Sequence, residues 1–261
     1  MAKTIAVANQ KGGVGKTTTC VNLCASLAVS GKTVLLIDMD PQANATSGLG
    51  FDSRNNPLTV YDCLIRGTPS ADVIKSTGVP RLSIIPSSAD LAGAEVELVT
   101  LPERESVLKT ALDHTLAQYD FVMLDCPPAL GLLTVNALVA ATSVLVPVQC
   151  EYYAMEGLGR LLSNIQRVQE SLNQALELEG IVLTMFDSRN SLARQVAEEI
   201  RNHFKEKVYQ TVIPRNVTLA EAPSYGRPVL LYNAASSGCQ AYLELTKEFL
   251  NHGKEGTRQG P

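Results

Sequence analysis

The stretch Thr4-Ile5-Ala6-Val7-Ala8-Asn9-Gln10-Lys11-Gly12-Gly13-Val14-Gly15-Lys16-Thr17-Thr18 decides the fold. Thr4 to Ala8 is an apolar, β-prone run, and a helix-forming run begins at Thr19. Between them lies a loop whose glycines let the backbone wrap an anion, so that its N–H groups and the following helix N-terminus face the charge. Lys16 reaches the β and γ phosphates of a nucleotide as a mobile point charge, and the Thr17 hydroxyl is placed to ligate Mg²⁺. Lys11, Gly12, Gly13, Val14, Gly15, Lys16, Thr17 and Thr18 are therefore the candidate cradle for ATP.

Further apolar runs follow at Thr33 to Ile37, Leu82 to Ile85, Phe121 to Leu124, Ser143 to Val148 and Gly180 to Met185. Strands apolar on both sides suit a parallel sheet covered on both faces. Thr17 to Ser30, Glu103 to Leu116, Ala154 to Leu176 and Leu192 to Lys205 are long enough to be crossover helices. The expected fold is α/β, a doubly wound and mostly parallel sheet with helices on both faces, of the P-loop NTPase type. One domain over residues 1–251 is expected, with a disordered tail at 252–261, where apolar residues are lacking.

The second strand ends Leu36-Ile37-Asp38-Met39-Asp40-Pro41-Gln42, placing two carboxylates at the carboxyl edge of the sheet, where such sheets bind ligands. One is expected to orient Mg²⁺ and its waters, the other the attacking water. Phe121-Val122-Met123-Leu124-Asp125 ends in a carboxylate in the manner of a Walker B motif, and Cys126-Pro127-Pro128 then forbids an immediate helix. Thr17, Asp38 and Asp125 are the candidate metal group. The ordinary GxxxxGK[ST] pattern wants glycine at position 10; this chain has Gln10, and a second lysine, Lys11, opens the loop in a deviant Walker-A arrangement.

The two-lysine loop, Asp38-Met39-Asp40-Pro41-Gln42 and Leu124-Asp125-Cys126-Pro127-Pro128 together resemble the ParA/Soj chromosome- and plasmid-partitioning ATPases. So do Pro147 to Gly157, Met185-Phe186-Asp187-Ser188-Arg189, Ile213 to Val217 and Glu221 to Gly226, so the likeness covers nearly the whole chain. The loop alone is shared with septum-site MinD proteins, nitrogenase-type reductases and arsenite pumps. The resemblance implies a cytoplasmic ATPase, nucleoid-associated when ATP-bound, that forms an ATP-dependent homodimer. Lys11 would reach the partner's phosphates, Lys16 would serve its own, and Asp40 would position the hydrolytic water. It also implies Pro214 and Asn216 at the adenine, non-specific DNA binding through Arg189, and a ParB-type centromere-binding partner. One departure stands out: close relatives carry Arg two residues after Asn216, where this chain has Thr218. Arg194, Arg201, Lys205 and Lys207 offer other positive charge near Arg189.

A net charge of −4 gives no global attraction to nucleic acid or anionic membrane, so any such contact must be a local patch. No apolar run reaches the ~18–20 residues that span a bilayer, and the tail lacks an amphipathic face, so no membrane partner is expected. That separates the partitioning reading from a MinD-like positioning switch. An ATP-driven reductase or metal carrier would need paired cysteines, whereas Cys20, Cys24, Cys63, Cys126, Cys150 and Cys239 contain no CxxC pair and read as small core residues.

Overall fold

The computed structural model describes residues 2–52 and 54–255. In chain order the elements are β1 (Lys3–Val7), α1 (Lys16–Val29), β2 (Val34–Asp38), α2 (Asn44–Gly48), α3 (Val60–Ile65), α4 (Ser70–Val73), β3 (Lys75–Ser76), β4 (Leu82–Ile85), α5 (Leu91–Glu97) and α6 (Val107–Leu112). They continue with β5 (Phe121–Asp125), α7 (Leu132–Ala140), β6 (Ser143–Gln149), α8 (Ala154–Ser171), β7 (Glu177–Phe186), α9 (Ser191–Phe204), β8 (Val208–Pro214), α10 (Val217–Glu221), α11 (Val229–Tyr232) and α12 (Ser237–Glu255). The sheet order is β3-β4-β2-β5-β1-β6-β7-β8, parallel throughout except for the short antiparallel β3 at one edge.

Alternation along the inner strands sends side chains to two cores. Ala6 and Ala8 of the first strand segment, with Leu35 and Ile37 of β2, join α3 and α5 to α9 on one face. Ile5 and Val7, with Val34 and Leu36, join α1, α11 and α12 on the other. All six cysteines are buried in these layers. The doubly wound expectation therefore holds, and β1 lies between β5 and β6, so the loop after it opens at the carboxyl edge beside Asp125.

Several boundaries differ from the sequence reading. Helix is realised over only part of Glu103 to Leu116, because Asn136 of α7 takes the backbone groups that would extend it: its amide donates to Arg104 O (2.7 Å) and its carbonyl accepts from Leu108 N (3.0 Å). β8 is an edge strand that the apolar-run criterion misses, and Gly180 of β7 leaves the space for its Tyr209 ring, since a Cβ there would lie 2.6 Å from Cε2. α12 buries Tyr242, Leu245 and Phe249 and continues through Glu255, beyond the expected boundary at 251; residues 256–261 lie outside the described residues. Pro147 inside β6 ends the ladder to β1: the last rung is Ala8 N donating to Leu145 O (3.2 Å), the proline nitrogen has no proton for the next one, and its carbonyl accepts from Asn9 Nδ2 (2.7 Å).

Among the described residues no helix is long and apolar enough to cross a membrane.

Candidate functional site

The cradle follows from two backbone conformations. Gly13 and Gly15 have φ of 71° and 87°, a region closed to most side chains, and α1 starts directly afterwards at Lys16. Two tethers fix the loop. Asn9 Oδ1 accepts from Lys11 N (3.0 Å), and Thr184 Oγ1 of β7 donates to Val14 O (2.8 Å). Lys16 is only 7% exposed and curls back so that Nζ donates to Lys11 O (3.3 Å). Burial lowers its pKa, with Asp125 and Asp40 among the groups that oppose the shift.

A cleft of about 470 Å³ runs from this loop along the carboxyl edge. Gly12, Gly13, Gly15, Lys16, Thr17, Thr18, Asp40, Pro214 and Asn216, all expected, line it. Gln42, Pro128, Met185 and Ile213, which the sequence reading placed in motifs without giving them a site role, also line it, and sequence reasoning missed Asn44, Thr184, Leu219 and Tyr242. Met185 has φ of +48°, in the left-handed region that non-glycine residues rarely occupy. Tyr242 and Leu219 belong to α12 and α10, elements the apolar-run pattern did not reveal. Asn216 lines the cleft, but its side chain is engaged elsewhere, capping α10 at Leu219 N (3.1 Å) and donating to Ser237 Oγ (2.9 Å).

The carboxylates divide into two environments. Asp38 and Asp125 are register partners on adjacent strands and both are fully buried. Asp38 Oδ2 accepts from Thr46 N (2.8 Å) and Thr46 Oγ1 (2.7 Å), and Oδ1 accepts from Asp40 N (3.1 Å), so both oxygens of this expected metal residue are held by donors of the chain itself. Asp125 Oδ1 accepts from the Cys20 thiol (3.4 Å), whereas Oδ2 has no hydrogen-bond partner among the described residues. Burial raises both pKa values, and the charge of Asp38 raises that of Asp125 further, while the Thr17 hydroxyl and Cys20 thiol beside it pull the other way. A buried carboxylate beside a threonine hydroxyl is a donor set of the kind a hard divalent cation takes.

Lys11 and Val14 do not line the cleft. Val14 is buried in the loop's underside, and the half-exposed Lys11 ammonium pairs with the Glu151 carboxylate just before α8. Arg189 lies elsewhere, in the turn between β7 and α9, where its guanidinium makes a bidentate pair with Asp187 (2.9 and 2.8 Å) and the side chain stays 89% exposed. Arg194 shares that turn through Ser188 O (2.8 Å). Arg201, Lys205 and Lys207 do not: they sit toward the other end of α9, up to about 20 Å away at ~1.5 Å per residue.

The sheet order, the glycine loop and the paired strand-end carboxylates define a P-loop nucleotide-binding protein. A family model described as an AAA domain matches residues 2–178. The sporulation initiation inhibitor protein Soj of Bacillus subtilis is 54% identical over 97% of this chain and 100% of its own length, and the chromosome partitioning protein ParA of Myxococcus xanthus is 50% identical over 100% and 91%. Among solved structures, cobyrinic acid a,c-diamide synthase from Mycobacterium smegmatis with bound ADP and magnesium superposes with a TM-score of 0.86 at 38% identity, covering 98% of this chain and 97% of that one. The chain belongs to the ParA/Soj family of chromosome-partitioning ATPases.

Proposed function

We propose that this chain hydrolyses ATP to drive DNA segregation, cycling between an ATP-bound dimer on DNA and a released ADP monomer, with turnover stimulated by a ParB-type partner. The observation that carries the proposal is the cleft itself: a glycine loop and buried Lys16 at its phosphate end, with the buried Asp125 carboxylate, which is not on the cleft wall, beside the Thr17 hydroxyl that is. The ADP and magnesium in a structure of such close shape, and the partitioning relatives at half identity, support it.

In this reading the loop amides and Lys16 bind the phosphates, while Pro214 and Asn216 present backbone to the adenine. Thr17 and Asp125 would hold Mg²⁺, which would supply positive charge to offset that of the phosphates. Asp38 supports this arrangement through Thr46 and the Asp40 backbone instead of facing the ion. Asp40, on the cleft wall, accepts a proton from water and orients it. Lys11 exchanges Glu151 for the phosphates of a second copy, where it opposes charge developed in phosphoryl transfer. An exposed pair of this sort contributes at most about 1 kcal/mol, so the exchange costs little. Arg189 faces DNA without reading sequence.

The test pairs two variants. Lys16→Ala loses fluorescent-nucleotide binding, and Asp40→Ala keeps it while turnover falls by about 10²-fold or more. Equal ATP binding and turnover in both variants and the wild type would remove the nucleotide assignment. Absence of liposome co-sedimentation with ATP distinguishes this cycle from a membrane-positioning one.

A further inference from the structure

Asp40 is gripped at both ends of its own backbone. Its N–H donates to Asp38 Oδ1 (3.1 Å), and its carbonyl accepts from Ser87 Oγ (2.8 Å) and from Ala43 N (2.9 Å). The two grips are joined through one hydroxyl. Thr46 Oγ1 donates to Asp38 Oδ2 (2.7 Å) and accepts from Ser87 N (2.9 Å), which uses its single proton and a lone pair. Asp38, Thr46 and Ser87 are each fully buried, so water cannot replace any of these bonds. The chain from Asp40 to Thr46 is thereby closed into a loop, with Ala43 forced to φ of +52°, and the Asp40 side chain at its mouth lines the cleft while its Oδ1 accepts from Gln42 N (2.9 Å).

We infer that Thr46 and Ser87 are positioning residues for hydrolysis: with Asp38 they form a buried clasp that fixes where the Asp40 carboxylate stands over the phosphate end of the cleft. The inference rests on the ATPase reading given above and adds to it. Neither residue touches the cleft, and neither was marked by any sequence motif. A clasp rather than simple packing is indicated by chemistry. A valine at 46 would fill the same volume, yet the position carries the one group that can satisfy a carboxylate on one side and an amide on the other.

Reacting groups tolerate little displacement, and misplacement by about 1 Å costs on the order of 10²-fold in rate. Thr46→Val removes the bridging hydroxyl at constant volume, and Thr46→Ser retains it. In steady-state hydrolysis by the full chain, Thr46→Val is expected to lower kcat about 10- to 100-fold with KM changed less than about 3-fold, and Thr46→Ser to recover most of the loss. Ser87→Ala, which removes the grip on the Asp40 carbonyl and leaves the Ser87 N–H in place, gives a smaller fall in kcat and serves if Thr46→Val does not fold. The deciding readout is epistasis. In an Asp40→Ala background Thr46→Val and Ser87→Ala should have no further effect on residual turnover, because the group they position is gone.

A Thr46→Val protein with wild-type kcat overturns the inference, as does a valine or Ser87→Ala effect of equal size with and without the Asp40 carboxylate. A wild-type chain that binds ATP without turning it over overturns the parent reading instead, a result that no Thr46 variant can imitate.

Discussion

Replacing Asp125 by Asn should stabilise the nucleotide-free protein while removing its Mg²⁺-dependent chemistry. Asp38 and Asp125 are register partners on neighbouring strands, so their carboxylates stand about 5 Å apart if they follow the ~4.8 Å strand spacing. Two unit charges at that distance repel by about 3 kcal/mol at an effective dielectric of ~20. Lys16 nearby offsets part of this, and an Asn amide at the Oδ2 position brings a donor of its own, so the expected net gain is about 1–2 kcal/mol at alkaline pH. For a chain of this size that is a rise in Tm of about 2–6 °C. The sign with pH follows from proton binding. Because burial and the Asp38 charge raise the Asp125 pKa above its unfolded value, the folded chain holds more protons than the unfolded one across the window between the two. Stability is therefore fully present below the ordinary carboxylate range and is lost as pH rises through the folded pKa. Thermal unfolding of wild type and Asp125→Asn at pH 4, 5.5 and 8.5, without nucleotide, should show the smallest Tm difference at pH 4, a higher Tm for the variant already at pH 5.5, and the largest difference at pH 8.5. Adding Mg²⁺ and ATP should raise the wild type more than the variant. A variant less stable than wild type at pH 8.5, or a difference that does not change with pH, would mean that Asp125 is ionised and well compensated in the free protein, and the reasoning from the buried pair would be wrong.

Lys11→Ala should leave monomer nucleotide affinity within about 3-fold, since any cross-subunit contribution to the phosphates is absent there, and should abolish ATP-dependent dimers in sedimentation with a non-hydrolysable analogue; normal dimerisation would refute the cross-subunit role. Arg189→Glu should abolish ATP-dependent DNA binding in gel shifts and spare dimerisation, and unchanged binding would move the DNA surface elsewhere. Asp187→Asn should tighten DNA binding and steepen its salt dependence by about 0.9 in log K per log salt for each further phosphate neutralised, because Asp187 neutralises Arg189 in the turn. Arg189 holds the Asp187 carboxyl down to about 2, so this restraint should not vary between pH 5 and 9, and a strong pH dependence of DNA affinity in that range would have another source. Thr218→Arg should act in the same direction as Asp187→Asn, with two salt concentrations as the check.

The central strands and the phosphate loop were readable because a continuous apolar run followed by paired glycines and a lysine admits few other structures. The partner strands of the edge and the last helix were less so. Val208 to Pro214 mixes exposed Gln210 with buried Tyr209, as an edge strand does, and α12 betrays itself only through the spacing of Cys239, Tyr242, Leu245 and Phe249. At the site, the types and strand-end positions of Asp38, Asp40 and Asp125 were legible, but their different environments were not. What separates Asp38 from Asp125 is a hydroxyl eight residues further on and a thiol from α1, both brought in by packing. Similarly, Lys11 and Arg189 were found as charges, while the acids that hold them are 140 and two residues away, and no charge count shows which pairs close.

The placement of α12 bears on how the protein is made. Its Tyr242 contacts Thr19 (3.1 Å between oxygens) and lines the same cleft as Gly12, so the nucleotide pocket is assembled from both ends of the chain. During synthesis at about 5–20 residues per second, the loop at 11–18 waits on the order of ten seconds or more for the wall that completes it. A nascent chain therefore carries the phosphate loop long before it has the full pocket, and the finished cleft exists only in polypeptides that have been translated past residue 242.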